Sequence, residues 1–178
     1  PPRPPTEDTA MALPRKLKHF NAFLDGESWL GLISELTLPK LARKLDDYRG
    51  GGMEGPVKVD MGQEGIEIDF TTGFDGRIFK KYGAASASAL LLRFAGSWQR
   101  DDVGDVSAVE IVVRGRIAEI DHGNAKAGDD APVKVKMALS YYKLSVDNQV
   151  LIEIDLLNFV HNVDGTDLLA AHRAALGI

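Results

Sequence analysis

Residues Val133 to Asp155 read VKVKMALSYYKLSVDNQVLIEID, two arms of alternating apolar and polar side chains around a short polar turn. A period of two is the signature of half-buried strands, so the stretch predicts a β-hairpin. Its register can be argued from the side chains, because a slip of one residue moves every core side chain to the opposite face. A two-residue turn at Asp147-Asn148 would set Lys143 against Ile152 and Tyr142 against Glu153. A three-residue turn, Asp147 to Gln149, sets Val146 against Val150, Leu144 against Ile152, Tyr142 against Ile154 and Lys143 against Glu153. The second register pairs like with like and is the expectation, with Gln149 in a left-handed conformation at a cost of roughly 1 kcal/mol.

The first arm changes face midway. Its apolar side is odd-numbered from Val135 to Tyr141 and even-numbered from Tyr142 to Val146. Either a bulge re-aims the strand at Tyr141-Tyr142 or both of its faces are covered there.

Upstream, Val57 to Met61 and Ile66 to Phe70 show the cleanest alternation in the chain and predict a hairpin across Gly62 to Gly65. Val57, Val59, Met61, Ile66, Ile68 and Phe70 would face the core, leaving Lys58, Asp60, Glu67 and Asp69 on a polar, mostly acidic face. Phe20 to Leu38 suggests a looser hairpin turning at Asp25-Gly26. Lys40 to Gly55 is framed by Pro39, three consecutive glycines and Gly55-Pro56, and reads as a long loop. Loops of that length in compact domains are commonly functional.

Downstream, Asp75 to Gly83 predicts a short helix with Asp75 as N-cap and Gly83 past its end. Leu90 to Trp98 and Val106 to Ile120 are two long strand-like runs, and Asp121 to Ala131 is a loop. Asp164 to Gly177 predicts a terminal helix with Thr166 as N-cap and Leu168, Leu169, His172 and Leu176 on one face. Six to eight strands with one or two short α-helices and no strand-helix alternation give a mainly β fold, an antiparallel β-sandwich or barrel. Residues 11–178 are expected to be a single domain. The proline-rich Pro1 to Ala10 is read as an extended tail, an upstream extension or an artefact ahead of Met11.

Composition narrows the function. The 178 residues carry 26 acids, 21 bases and no cysteine, which removes thiolate catalysis, thiolate metal sites and disulfides. A net charge of −5 argues against a large phosphate-gripping surface, and the basic Arg15, Lys16 and Lys18 read as a solvated arm. No signal peptide or membrane-spanning run is visible, so no membrane insertion is expected, and the expected place of synthesis is the cytoplasm. The four histidines are scattered singly, and Gly50 to Gly52 lacks the Lys-Ser/Thr of a phosphate loop. Asp164 to Asp167 has only part of a calcium loop and reads better as a cap. Asp60 with Glu67 or Asp69 could form a glycosidase pair, but Trp29 and Trp98 are too few for a sugar platform. No enzyme and no cofactor are expected. A carbohydrate-binding β-sandwich is the competing class.

Taken together, Asn21 to Gly26 (NAFLDG), Leu36 to Lys44 (LTLPKLARK), Tyr48 to Gly62 (YRGGGMEGPVKVDMG), Ala138 to Asp147 (ALSYYKLSVD) and Ile152 to Asp155 (IEID) resemble the major tail tube protein of contractile-tailed bacteriophages. The same segments are similar to the tube protein of R-type pyocins. The resemblance runs from Phe20 to the C-terminus, and the first ten residues have no counterpart in it. It implies a sandwich of the tail-tube type, a structural virion protein that assembles in the host cytoplasm into stacked hexameric rings. These rings form the inner tail tube, a conduit for DNA ejection. Implied partners are the protein itself, the tail sheath, the baseplate hub and the tail terminator, with non-specific passage of DNA. A bacteriocin or secretion tube is the nearest alternative.

Three expectations follow for the residues. Sheet edges completed by neighbouring subunits would account for the long strands. The loop bearing Lys40, Leu41, Arg43, Lys44, Tyr48, Arg49, Gly50, Gly51, Gly52 and Met53 would reach between subunits or rings. Lys58, Asp60, Glu67 and Asp69 would face the bore, where a cationic wall would hold DNA back.

Overall fold

The structure, a computed structural model, describes residues 13–178, and the proline-rich tail lies outside the described residues. The hairpin of Val133 to Asp155 forms as β9 (Val133–Val146) and β10 (Gln149–Asp155). Leu144 pairs with Ile152, Lys143 with Glu153 and Tyr142 with Ile154, the register argued from like pairing. The turn, however, has two residues, not three. Val146 pairs with Gln149, and a bulge between Val150 and Ile152 restores the register. The physical reason lies in Asp147 and Asn148, whose φ values of 48° and 67° suit the primed turn that matches strand twist. Asp147 also accepts a hydrogen bond from the amide of Ala108 at 2.8 Å, so Gln149 is spared the left-handed conformation.

The change of face on β9 is a bulge, one residue before the expected place. Against β8 (Val106–Asp121), Tyr141 pairs with Arg114 and Leu139 with Gly115, leaving Ser140 extra. The same residue divides the other edge of β9, where β6 (Ile66–Thr72) pairs as far as Leu139 and β10 begins at Tyr141. Ser140 is not orphaned: its Oγ donates to the Ala87 carbonyl at 3.1 Å, and its carbonyl accepts from Leu156 at 3.0 Å. Gly115 is required opposite, since a Cβ there would land on the carbonyl oxygen of Ala138. β8 and β9 therefore bend together and serve two walls of the fold, β6 on one side of the bend and β10 on the other. This accounts for their 16 and 14 residues within one subunit.

The rest of the main sheet follows from this pair. β7 (Leu90–Gln99) joins β8, β1 (Lys16–Leu24) joins β7, and β2 (Glu27–Ser28) turns back on β1 through Asp25-Gly26 as expected. β3 (Ile33–Thr37) pairs with β6 instead of completing a hairpin with β1, so the Phe20 to Leu38 segment is divided between two walls. At the other end, β11 (Val160–Val163) and β12 (Thr166–Asp167) extend β10. Among the described residues, two strands, β4 (Arg43–Tyr48) and β5 (Val57–Gln63), pair only with each other in a separate antiparallel ribbon. The two α-helices among the described residues are short, α1 (Gly76–Lys80) and α2 (Ala170–Leu176). The class is mainly β and antiparallel, as expected, with more strands than the sequence suggested, among them the two-residue β2 and β12.

Both walls bury their apolar faces in one cluster, including Ile66, Ile68 and Phe70 of β6, Leu92 and Phe94 of β7, and Val135 and Met137 of β9. α1 closes it with a fully buried Ile78, and Asp75 caps the helix by accepting from the Arg77 amide at 2.9 Å. Three expectations are overturned. Lys40 to Gly55 is not simply a loop, since Arg43 to Tyr48 within it forms β4. Val57 to Met61 does not pair with Ile66 to Phe70, because β5 takes β4 as partner and β6 takes β3 and β9. Thr166 is not an N-cap: Asp164-Gly165, with φ values of 47° and 76°, forms the β11–β12 turn, and α2 starts after Leu169.

Candidate functional site: the assembly surfaces

The ribbon β4–β5 stands outside the core. Direct partners in an antiparallel pair share a face, so Tyr48 with Val57 and Asp46 with Val59 lie on one side, continued by Met61. Leu45 with Asp60 and Asp47 with Lys58 lie on the other. The first side is an apolar stripe left open to solvent: Val57, Val59 and Met61 are 53%, 44% and 57% exposed. The second carries the ion pair Lys58–Asp47 at 2.8 Å. At the tip, Met53 turns back so that its Sδ accepts from the Gly50 amide, and Arg49 donates to the Met53 carbonyl at 3.2 Å.

The root of the ribbon is tied to the body. Arg43 pairs with Asp60 at 2.8 Å, and its Nη1 lies 3.3 Å from Nδ1 of the buried His161 on β11. Hydrogen bonds from Arg43 and from the Gly62 amide hold the Asp60 carboxyl below its ordinary range. Burial pushes the His161 pKa down, and the neighbouring Arg43 cation adds to that, against a smaller upward pull from Asp60. An arginine donates but never accepts, so this contact requires Nδ1 of His161 to be unprotonated. The other histidines are exposed, and His122 stacks on Phe79 with ring centroids 5.0 Å apart.

Of the four residues expected on one acidic face, the structure brings together Glu67 and Asp69 on β6. Lys58 and Asp60 sit on the polar side of the ribbon, so the single hairpin face is replaced by two adjoining segments. Glu67 meets Lys136 at 3.6 Å. Asp69 lines a cleft with Glu35, Glu119, Asp121, Lys134 and Lys136 on the outward side of β3, β6, β9 and β8. Carboxylates thus outnumber lysines along that wall. Among the described residues no three His, Asp or Glu side chains converge as ligands of a cation would.

The basic arm is pinned rather than free. Arg15 pairs with Asp105 at 2.7 Å and Lys18 with Asp101 at 2.8 Å, both in the β7–β8 turn. At the end of the β3–β6 wall away from the ribbon, Leu32, Thr72, Gly73, Phe74, Asp130 and Pro132 line an open cleft, with Phe74 73% exposed. Sequence reading missed this patch and the stripe on β5. The visible signal for the second was the alternation itself, which marked an apolar face without saying what covers it.

A sequence profile described as phage tail tube protein FII matches residues 14–177. The tail tube protein of Escherichia phage P2 is 44% identical over 172 residues, spanning 94% of this chain and all of that relative. The major tail tube protein of Serratia phage KSP20 is 44% identical over 158 residues, 89% of this chain and 92% of the relative. In fold, the chain resembles a protein of the PVC sheath-tube complex, an extracellular contractile injection system in its extended state. There the TM-score is 0.55 at 12% identity, covering 77% of this chain and 93% of the other.

Proposed function

The chain belongs to the phage tail tube protein FII family, the tube proteins of contractile phage tails, and from that premise we propose that its copies close into six-membered rings whose stack forms the tail's inner conduit. The observation that carries the reading is the β4–β5 ribbon, a structured arm with an apolar face that nothing among the described residues covers. An isolated two-stranded ribbon is marginally stable in water, so a second surface to complete it has a clear physical role. The loop residues expected to reach a neighbour, from Lys40 to Met53, form the root, first strand and tip of this arm. The free edges of β3 and of β1 before Phe23 offer further backbone groups for a neighbour.

The bore is assigned to the outward face of β6, with Glu67 and Asp69, continued by Lys58 and Asp60 on the polar side of the ribbon. A wall in which carboxylates outnumber amines gives DNA no counter-ion surface on which to stall. The sheath, the terminator and the baseplate hub are the expected contacts of the outer surface and the two ends.

Negative-stain microscopy of the purified protein at high concentration tests the assembly. Six-fold rings or hollow rods are the expected result, and a lone compact subunit at every concentration contradicts it. The bore assignment has its own test. Replacing Glu67 and Asp69 together by Lys, with Asp60 kept because it holds Arg43 at the ribbon root, leaves tubes assembled and slows DNA ejection, whereas unchanged ejection kinetics from such particles rule it out.

A further inference from the structure

Strand direction places the two uncovered apolar surfaces at opposite ends of one wall. β3 and β6 run antiparallel, pairing Thr37 with Asp69 near one end and Ile33 with Thr72 at the other. The ribbon leaves from the end marked by Thr37 and Ile66. The cleft of Leu32, Phe74 and Pro132 lies at the end marked by Ile33, Thr72 and Val133. Stacking by one repeated rotation and translation sets the top of each copy against the bottom of the next, a heterologous contact between two different patches. A two-fold contact would instead set stripe on stripe and bring two copies of Asp46, which shares that side of the ribbon, close together.

Charge points the same way. Arg49, beside the ribbon tip, has no carboxylate partner among the described residues and donates there to the Met53 carbonyl. In the loop that borders the cleft, Asp129 takes Lys126 at 3.2 Å, while Asp130, in the cleft wall, has no cationic partner among the described residues. The six residues of β4 extend the ribbon by about 20 Å, enough to lay a row of side chains along a neighbour instead of touching it with the tip alone.

We propose that the apolar stripe of β4–β5 in one copy seats against Leu32 and Phe74 of the copy stacked on it, with Arg49 meeting Asp130. This rests on the tube reading and names the partner surface of the arm. Each seated ribbon would cover Tyr48, Val57, Val59 and Met61 together with Phe74, and each ring would present clefts to one side and ribbons to the other.

The absence of cysteine makes the test clean. A Val59→Cys, Phe74→Cys double variant, assembled and treated with a short bismaleimide, gives a ladder of dimers, trimers and higher species on a denaturing gel. Each single variant stays monomeric. Rods without a ladder overturn the pairing and leave the tube reading standing. Dimers from Val59→Cys alone overturn it in favour of stripe on stripe, and a protein that forms neither rods nor ladder overturns both readings. A second pair of variants avoids any cost of altering the stripe. Arg49→Asp reduces the yield of rods on the order of tenfold, by setting like charges together, and adding Asp130→Arg restores it. Failure of the second change to rescue the first contradicts the contact.

Discussion

β5 and β6 are consecutive strands of equal length with the same alternation, yet one is wholly exposed or half-exposed and the other buries every second side chain. Ile66, Ile68, Phe70 and Thr72 are each within 2% of full burial, while Val57, Val59 and Met61 are about half exposed. The difference is not in the strands but in their partners. β6 lies between β3 and β9, over a core closed by β7 and α1, whereas among the described residues β5 has β4 alone. Alternation specifies a strand with an apolar side, and the topology decides whether that side meets its own subunit or another.

Interventions separate the two regions by size of effect. The largest acts on the bend that makes the core possible. Gly115→Ala drives a Cβ into the Ala138 carbonyl, and a loss of roughly 4 kcal/mol in urea unfolding of the dilute subunit is expected. Next, Ile68→Ala opens a cavity beneath β6 and costs about 3 kcal/mol in the same measurement. Equal costs for Ile68→Ala and Val59→Ala would break the comparison outright.

The root of the ribbon responds to pH. His161 has a lowered pKa in the folded chain, so below about 6.5 the unfolded chain takes up this proton first. Its contribution is therefore present above that pH and is lost as pH falls toward the folded value. The paired carboxylates Asp60, Asp25, Asp75, Asp102 and Asp167 are shifted down from 3.8, and their contributions are lost only in stronger acid. Unfolding midpoints should fall between pH 7 and pH 5, and His161→Gln, which keeps an acceptor for Arg43, should flatten that slope. The smallest effect on the subunit comes from Val59→Ala, within about 0.5 kcal/mol, although the same change is expected to weaken assembly.

The fold was legible where side chains had to agree with a partner inside the subunit. The β9–β10 register followed from Leu144, Tyr142 and Lys143 against Ile152, Ile154 and Glu153, and the parity change announced the Ser140 bulge. The turn was misjudged because a one-residue bulge at Leu151 compensates a two-residue turn, and both arrangements give the same pairing farther from the turn. The ribbon was misjudged because Lys40 to Gly55 carries glycines at its tip, while the strand beside it, Arg43 to Tyr48, is too polar to signal alternation. Its partner was then assigned to the next available strand. The exposed patch at Leu32 and Phe74 had no periodic signal at all, since neither residue lies in a strand. The terminal helix kept its predicted stop at Gly177 but lost its predicted cap, because Asp-Gly at 164 and 165 serves a hairpin turn as readily as a helix start.

Hydrogen exchange of dilute subunit and assembled tube tests, strand by strand, whether β5 is completed by another copy. Amides of Tyr48 and of Val57 to Met61 should exchange quickly in the subunit and become protected in the tube, while those of Ile66 to Thr72 are protected in both. Tubes in which β5 exchanges as fast as in the free subunit would contradict that completion.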